Sequence, residues 1–434
     1  MNKDIFLIYE FLGVIAEGSY GIVHKARHRK TKQNVAIKEY KNRSTSNEGM
    51  MISTIREIKL LTDLNHETIV KIKDIFITEN DQKMQSKMFI VFEYAEFELS
   101  TLIQYHKKQQ TRMPPKLIKN LMYQILLAIN YLHQNWVIHR DIKPANILIK
   151  HTNEEKGIVK ITDFGLSRIF KDPFRPLGHD GDVVTLWYRA PELLLGSNHY
   201  TKAIDMWSVG CLFAELITGN PLFRGKEIKQ RNTFQNDQMG QIIKILGKPT
   251  PLKWKDVTKL QFYPEINKLK SKKNTLSQHV KLAKSDLAYQ LMSKMLLYDP
   301  KERITFQQAL NHPYFSELSN LQNNIMPAFK EDAPEYPSRK LLSYSKKYHS
   351  NPSFKIKMHP NKKNSIRPSK SNNKTNNTFL VNKRFIKGKS LNVNQDFSRK
   401  RKNSISENKF NKKLENSISP SNNKKKRTNE KKKN

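Results

Sequence analysis

The feature that most constrains the fold is a polar octapeptide, HRDIKPAN at residues 139–146, which lies between two short apolar runs. The runs 137–138 and 147–149 have the length and composition of buried strands, so the octapeptide is expected to form the loop between them. A second polar turn, DFG at residues 163–165, follows at strand spacing. Mg²⁺ prefers oxygen ligands and is usually shared with substrate phosphates. Two aspartates and an asparagine in adjacent loops therefore predict magnesium and phosphate chemistry.

The pair of motifs, H-R-D-x-K-x-x-x-N and then D-F-G, resembles the catalytic and metal loops of the eukaryotic protein kinases. The resemblance implies the bilobal α+β kinase fold, with a small β-rich N-lobe in residues 1–93. The hinge and a larger, mostly α-helical C-lobe would occupy residues 94–336. Residues 337–434 would form a disordered, basic C-terminal tail rich in Lys, Asn and Ser.

The charge distribution supports this division of the chain. Of the formal net charge of +39, the tail 337–434 carries +25, from 29 Lys and Arg against 4 Asp and Glu. A segment so poor in apolar residues cannot bury enough surface to offset its ordering entropy. The basic clusters at 399–402 and 424–427 are typical of nuclear import signals or of weak contacts with nucleic-acid phosphates. We expect a nuclear protein, with the cytoplasm as a second location, and the sequence leaves open which use the tail serves.

Cysteine usage and hydropathy exclude several other classes. Cys211 is the only cysteine, so no intrachain disulfide can form and a reducing compartment fits. No window approaches the ~20 apolar residues of a membrane span, and the apolar run at residues 5–8 lacks the features of a signal peptide. Cys211 falls in a long apolar helix, so we expect a buried packing residue there rather than a nucleophile.

Arg303 is the expected ion-pair partner of Glu192.

Residues 9–40 alternate in the manner of strands joined by turns. The first turn keeps Gly18 and Gly21 but has Ala16 where kinase glycine loops carry their first Gly, a residue that lets the backbone approach phosphates. Lys38, in the sequence VAIK, follows at the spacing of the lysine that holds the α- and β-phosphates. The resemblance implies ATP contacts from Ile15, Ala16, Glu17, Gly18, Ser19, Tyr20, Gly21, Ile22, Val23, Ala36, Lys38, Phe92, Glu93 and Ala95.

The next two segments complete the N-lobe. Residues 51–61 have helical periodicity, and Glu57 on that helix is the candidate ion-pair partner of Lys38; a solvated glutamate is the alternative. Residues 88–92 are predicted to form a buried strand that runs into the hinge at residues 93–96, whose backbone groups would face the adenine. Phe92 would close the back of the nucleotide pocket.

The resemblance implies transfer of the γ-phosphoryl group of ATP to Ser or Thr hydroxyls. Asp141 would accept or orient the hydroxyl proton, and Lys143 would neutralise charge on the transferring group. Thr185 would hydrogen-bond both of these side chains. Asn146 and Asp163 would hold Mg²⁺. The catalytic set is completed by Lys38 and Glu57.

Residues 183–192, VVTLWYRAPE, look like the cyclin-dependent kinases. The segments 135–137, 143–148 and 200–205 and the extended stretch 223–238 are most similar to the Mediator-associated, cyclin-C-dependent type. This implies a C-type cyclin, Ser/Thr-Pro substrates, Mediator subunits as partners and a role in transcription, with the C-terminal domain of RNA polymerase II as one context. A cell-cycle-type kinase and a pseudokinase scaffold are the alternatives. Every catalytic position is filled, which favours the enzyme.

The activation segment contains Asp180 at the position where cell-cycle kinases carry an activating phosphothreonine. Three arginines would surround it: Arg56 on the helix 51–61, Arg140 beside the catalytic aspartate and Arg168 after the metal loop. We expect Asp180 to supply a fixed carboxylate to them, so that the segment needs no phosphorylation. A carboxylate has one charge against nearly two for a phosphate. A solvated loop aspartate is the alternative.

Overall fold

The computed structural model describes residues 4–18, 21–40, 52–80, 85–152, 155–170, 185–228, 233–270, 272–319 and 336–342. All of them fall in the unit Met1–Ile356. The predicted tail lies outside the described residues except for its first six, 337–342. These six residues contact both lobes of the kinase, so the predicted start of the tail at residue 337 falls inside a segment that packs on the folded domain.

The N-lobe is a five-stranded antiparallel sheet in the order β1-β2-β3-β5-β4. Its elements are α1 (Ile5–Ile8), β1 (Tyr9–Glu17), β2 (Gly21–His28), β3 (Asn34–Tyr40), α2 (Ile52–Asp63), β4 (Ile72–Asn80) and β5 (Gln85–Glu93). Successive side chains of a strand point to opposite faces of the sheet. On β3, Val35 and Ile37 therefore join the small core beneath α1, whereas Ala36 joins the main core on the opposite face. Lys38 shares the face of Ala36.

Short strands and two helices follow the N-lobe sheet along the chain. These elements are β6 (Phe97–Glu98), α3 (Leu99–Lys108), α4 (Pro115–Gln134), β7 (Val137–Ile138), β8 (Ile147–His151), β9 (Lys156–Ile161) and β10 (Arg168–Ile169). The sheets β10-β7 and β6-β8-β9 hold the two ends of the loop 139–146. The prediction that this loop joins two short buried strands is confirmed.

The remainder of the C-lobe is helical. Its helices are α5 (Pro191–Leu194), α6 (Ala203–Thr218), α7 (Asn236–Leu246), α8 (Tyr263–Asn267), α9 (Leu276–Val280), α10 (Leu287–Met295), α11 (Phe306–Leu310) and α12 (Ser316–Ser319). The central helix α6 is buried along most of its length, so it carries apolar residues on every face. None of the described helices is both long and apolar enough to span a membrane. The bilobal α+β class predicted from the sequence is confirmed.

Two C-lobe predictions can be compared directly with the structure. Cys211 is 1% exposed within α6, and burial raises the pKa of its thiol well above the ordinary value, as expected of a packing residue. The Arg303 guanidinium lies 2.8 and 3.0 Å from the two carboxylate oxygens of Glu192. It also stacks over the Trp207 ring at 5.2 Å. This buried pair ties α5 to the turn that precedes α11.

Candidate active site

The first part of the site joins β3 to α2. Lys38 Nζ donates to both carboxylate oxygens of Glu57 at 2.9 Å, and Glu57 is only 3% exposed. The structure therefore brings the two residues together, against the alternative of a solvated glutamate. Asp163 Oδ1 lies 4.0 Å from the same Lys38 nitrogen, so the lysine lies between two carboxylates.

Tyr40 supports this pair and was not anticipated from the sequence. Its hydroxyl donates to Glu57 Oε2 at 2.8 Å, and its ring lies 4.9 Å from Lys38 Nζ. Burial, together with the adjacent Glu57, raises the pKa of Tyr40, so the phenol stays protonated and acts as a donor. The available signal was spacing, because residues two apart on a strand share a face.

Asp141 is the centre of a ring of hydrogen bonds in the loop between β7 and β8. Its Oδ2 accepts from Lys143 Nζ at 2.7 Å, and its Oδ1 accepts from the Thr185 hydroxyl at 3.1 Å. Lys143 Nζ also donates to the Thr185 hydroxyl oxygen, at 3.0 Å. The three side chains therefore fix one another, with the carboxylate almost fully buried.

Asn146 holds the other side of the same carboxylate. Its Nδ2 donates to the Asp141 carbonyl oxygen at 2.8 Å and to Asp141 Oδ2 at 2.9 Å. Because the amide nitrogen is committed to these bonds, Oδ1 is the Asn146 atom that can face a metal. Arg140 and Asp163, which flank the site, have φ angles of 69° and 66°. Left-handed backbone at such residues costs about 1–3 kcal/mol and is characteristic of active sites.

Charge keeps the Asp141 carboxylate ionised in spite of its burial. Burial raises the pKa of Asp141. The charge and hydrogen bond of Lys143, with the hydrogen bond from the Thr185 N–H, lower this pKa by more than burial raises it, so it lies below its ordinary value. A proton acceptor must be ionised at the working pH. Asp141 therefore meets this condition at neutral pH.

Asp205, in the first turn of α6, anchors the catalytic loop from beneath. Its oxygens accept hydrogen bonds from the backbone N–H groups of His139 and Arg140, both at 2.9 Å. His133 Nε2 lies 2.9 Å from the same carboxylate. Burial raises the pKa of Asp205, but His133 and the hydrogen bond from the Arg140 N–H lower it by more, so this pKa lies below its ordinary value. A charged residue in the first turn of a largely apolar helix was the available signal, since an unpaired buried charge is costly.

The expected nucleotide wall is apolar. Ile15, Ala36, Phe92 and Ala95 are each less than 9% exposed. A Cβ on Gly21 would lie 2.2 Å from the Glu39 carbonyl oxygen, so only glycine fits where β2 begins against β3. Of the glycine-loop residues predicted to contact ATP, Ser19 and Tyr20 lie outside the described residues.

The Glu93 side chain has a structural position that the sequence did not indicate. Its Oε1 accepts from the Lys71 backbone N–H at 3.0 Å and lies 3.2 Å from Lys160 Nζ. Its Oε2 lies 3.4 Å from Lys150 Nζ. Lys160 is on β9 and Lys150 on β8, so this cluster joins the end of the N-lobe sheet to the C-lobe. The predicted contact of Glu93 with the nucleotide would be made by its backbone and not by this side chain.

The predicted anion site is only partly described. Arg56 lies on α2 and Arg168 on β10, where Arg168 Nη1 donates to the Ser167 carbonyl oxygen at 3.1 Å. Arg140 is 1% exposed, donates from Nε to the Leu166 carbonyl oxygen at 2.8 Å, and contacts the Tyr200 hydroxyl. Asp180 lies outside the described residues, so its role stays a prediction.

Comparison with known proteins places this geometry in context. The protein kinase domain family matches residues 9–315. A probable cyclin-dependent kinase 8 of Dictyostelium discoideum is 45% identical over 347 residues, which cover 79% of this chain and 89% of the relative. The cyclin-dependent kinase 8 of Drosophila melanogaster is 39% identical over 345 residues, covering 76% and 74%. The serine/threonine-protein kinase srb10 of Schizosaccharomyces pombe is 39% identical over 367 residues, covering 78% and 96%.

Proposed function

The chain belongs to the protein kinase family and, within it, to the cyclin-dependent kinase 8 type, and from this premise we propose how its residues transfer phosphate. It is a serine/threonine protein kinase that uses ATP and a divalent metal. One observation carries the proposal: both carboxylate oxygens of Asp141 are held by Lys143 and Thr185. Phosphoryl transfer of this kind depends mostly on positioning and electrostatics.

Asp141 accepts or orients the proton of the substrate hydroxyl, and its lowered pKa suits this role. Lys143 neutralises charge that develops on the transferring phosphoryl group. Thr185 holds the Asp141 and Lys143 side chains in place through its hydroxyl. At the other end of the site, Glu57 holds Lys38 in place to bind the α- and β-phosphates. The adenine lies between the β1–β3 side of the N-lobe and the backbone of the hinge.

Mg²⁺ is the metal that the donor set fits best. Asn146 offers an amide oxygen and Asp163 a carboxylate that is 38% exposed, and Mg²⁺ prefers oxygen ligands, usually one or two from protein and the rest from phosphates and water. When bound, the ion neutralises phosphate charge. Among the described residues, no group of three His, Cys, Asp or Glu side chains could hold a metal.

A cyclin is the proposed activating partner, and the segments that resemble the cyclin-C-dependent type lead us to propose a C-type cyclin. The N-lobe supports this because Ile55 on α2 is 52% exposed, and Ile75 and Ile77 on the edge strand β4 are 37% and 50% exposed. Exposed apolar surface next to a catalytic helix suits a protein partner. Such a partner would press on α2 and so stabilise the Lys38–Glu57 pair.

The proposed substrates carry Ser-Pro or Thr-Pro. Residues 183–184, which would form the +1 pocket, lie outside the described residues. Among the described residues, a cavity of about 740 Å³ lies between residues 185–187 and 224–227. We propose that this kinase acts in the nucleus with Mediator subunits in transcription, because its sequence segments resemble the Mediator-associated type and its tail is basic.

The proposal is tested with a phosphotransfer assay on paired Ser-Pro and Ser-Ala peptides, using full-length kinase with and without a C-type cyclin. We expect Mg²⁺-dependent activity that requires the cyclin and prefers Ser-Pro. Equal rates on the two peptides would refute Pro-direction, and full activity of the kinase alone would refute cyclin dependence. No activity with any partner would favour the pseudokinase scaffold.

A further inference from the structure

Residues 336–342, here called the hinge strap, lie beyond the end of the kinase family match at residue 315 yet contact both lobes. At its C-lobe end, Tyr336 is 7% exposed, and its hydroxyl lies 3.0 Å from His106 Nε2 on α3. Its ring packs edge-on against Tyr105 and Phe97, with centroids 5.3 and 6.1 Å away. Burial lowers the pKa of His106, so a neutral imidazole faces the phenol and no charge is buried there.

The middle of the hinge strap is bonded to the chain that links the two lobes. The Arg339 backbone N–H donates to the Glu96 carbonyl oxygen at 3.1 Å. The Arg339 guanidinium lies 3.9 Å from Glu98 Oε2, and its side chain is only 12% exposed. The hinge strap therefore follows the outside of the hinge.

At its N-lobe end the hinge strap reaches β1. The Leu342 backbone N–H donates to the Val14 carbonyl oxygen at 2.7 Å, which forms an isolated antiparallel bridge. The Leu341 side chain covers Gly13, where an added Cβ would lie 3.1 Å from Leu341 Cδ2. β1 is the edge strand of its sheet, so this bridge occupies backbone groups on its outer edge.

The position of the bridge makes it relevant to the nucleotide. Val14 immediately precedes Ile15, and Ile15–Glu17 form the end of β1 that leads into the glycine loop. The pairing of β1 with β2 has register shifts between Phe11 and Gly13 and between Val14 and Ala16. The hinge strap therefore meets β1 between two irregularities, where the regular ladder constrains the strand least.

We propose that the hinge strap is a positioning element for ATP. By tying β1 to the hinge and α3, it holds residues 15–17 of β1 at the distance from which they bind the nucleotide. This inference rests on the proposed function in that it takes the β1–β3 side as the adenine site. The expected effect is on nucleotide affinity and not on the chemical step, because Asp141 is anchored separately by Asp205 and Asn146. Strap variants should therefore raise KM for ATP and leave kcat nearly unchanged.

The sharpest test removes one N–H. Leu342→Pro deletes the donor to Val14 because proline has no backbone N–H, whereas Leu342→Ala shortens the side chain and keeps the donor. A single hydrogen bond of typical net strength corresponds to a change of about 3- to 10-fold. We expect Leu342→Pro to raise KM for ATP by about that factor, and Leu342→Ala to change it by less than about 2-fold. Tyr336→Phe, which deletes only the hydroxyl that meets His106, should give a smaller rise.

All variants are made in the full-length chain with its cyclin, and the peptide KM and the thermal unfolding midpoint should match the wild type. Binding of a fluorescent ADP analogue is measured in parallel, because it reports on the nucleotide site without any turnover. A dissociation constant in Leu342→Pro equal to that of the wild type would overturn the proposal. So would equal shifts in Leu342→Pro and Leu342→Ala. An inactive wild type that still shows the difference in nucleotide binding would refute the proposed function and leave this inference standing.

Discussion

The catalytic loop, residues 139–146, and strand β1, which would cover the nucleotide, are held in place in different ways. The loop around Asp141 is bonded from every side, by Lys143 and Thr185 above and by Asp205 through its backbone. β1 is an edge strand with an irregular ladder, and its outer edge is contacted at Val14 by a segment about 330 residues further along the chain. The groups for phosphoryl transfer are therefore fixed by several hydrogen bonds within the C-lobe, whereas we expect nucleotide affinity to depend also on the single backbone contact at Val14.

The largest effect should come from removing the anchor of the loop. Asp205→Ala leaves His133 and two backbone N–H groups without their acceptor in a buried site, and breaking a buried pair in this way costs about 3–5 kcal/mol. We expect a much lower unfolding midpoint in chemical denaturation, with phosphotransfer lost even where the protein is folded. Asp256→Ala, which removes an exposed carboxylate that pairs with Lys259 and Lys301, is the control and should leave the midpoint unchanged. An Asp205→Ala variant as stable as this control would show that the loop is held elsewhere.

A change of pH should separate the charge of the loop from its geometry. The pKa of Asp141 is lowered chiefly by Lys143 acting against burial, so the wild-type carboxylate loses its charge only as pH falls through a value below the ordinary 3.8. In Lys143→Met, burial acts with less opposition, the pKa of Asp141 rises, and the acid limb of kcat should move to higher pH. Lys116→Met, an exposed change on α4, should leave the limb in place. A limb that does not move in Lys143→Met would mean that Asp141 does not govern the acid side of the profile.

The smallest effect on activity is expected from a substitution in the glycine loop. Ala16→Gly restores the residue usual in kinase glycine loops. Because Gly18 and Gly21 are already present and alanine adds only one methyl group, we expect KM for ATP to change by less than about 2-fold. Gly21→Ala is the contrasting variant, because its Cβ would meet the Glu39 carbonyl oxygen at 2.2 Å, and it should bind ATP distinctly more weakly. Steady-state kinetics over a range of ATP concentrations measures both. A large gain in Ala16→Gly would show that the missing glycine limits this enzyme.

The same contrast explains what could be predicted from the sequence. The fold class and the Lys38–Glu57 and Asp141–Thr185 contacts were predicted from the kinase resemblance that the short motifs carry, although each contact joins residues that are distant in sequence. The hinge strap and the Glu93–Lys160 pair could not be predicted, because they join residues that are distant in sequence and carry no motif. Asp205 stands between these cases: its position was visible, but its burial beneath the catalytic loop required the tertiary structure.

The most direct measurement of the central claim is phosphotransfer by Asp141→Asn in the full-length chain with its cyclin. Asparagine keeps the size of the side chain but removes the charge and the proton-accepting oxygen. We predict turnover reduced by at least about 10³-fold, against 10²–10⁴-fold for general-base catalysis as a class, with an unchanged unfolding midpoint and unchanged binding of the fluorescent ADP analogue. Turnover at the wild-type rate by this variant would contradict the assignment of Asp141 as the residue that positions the substrate hydroxyl.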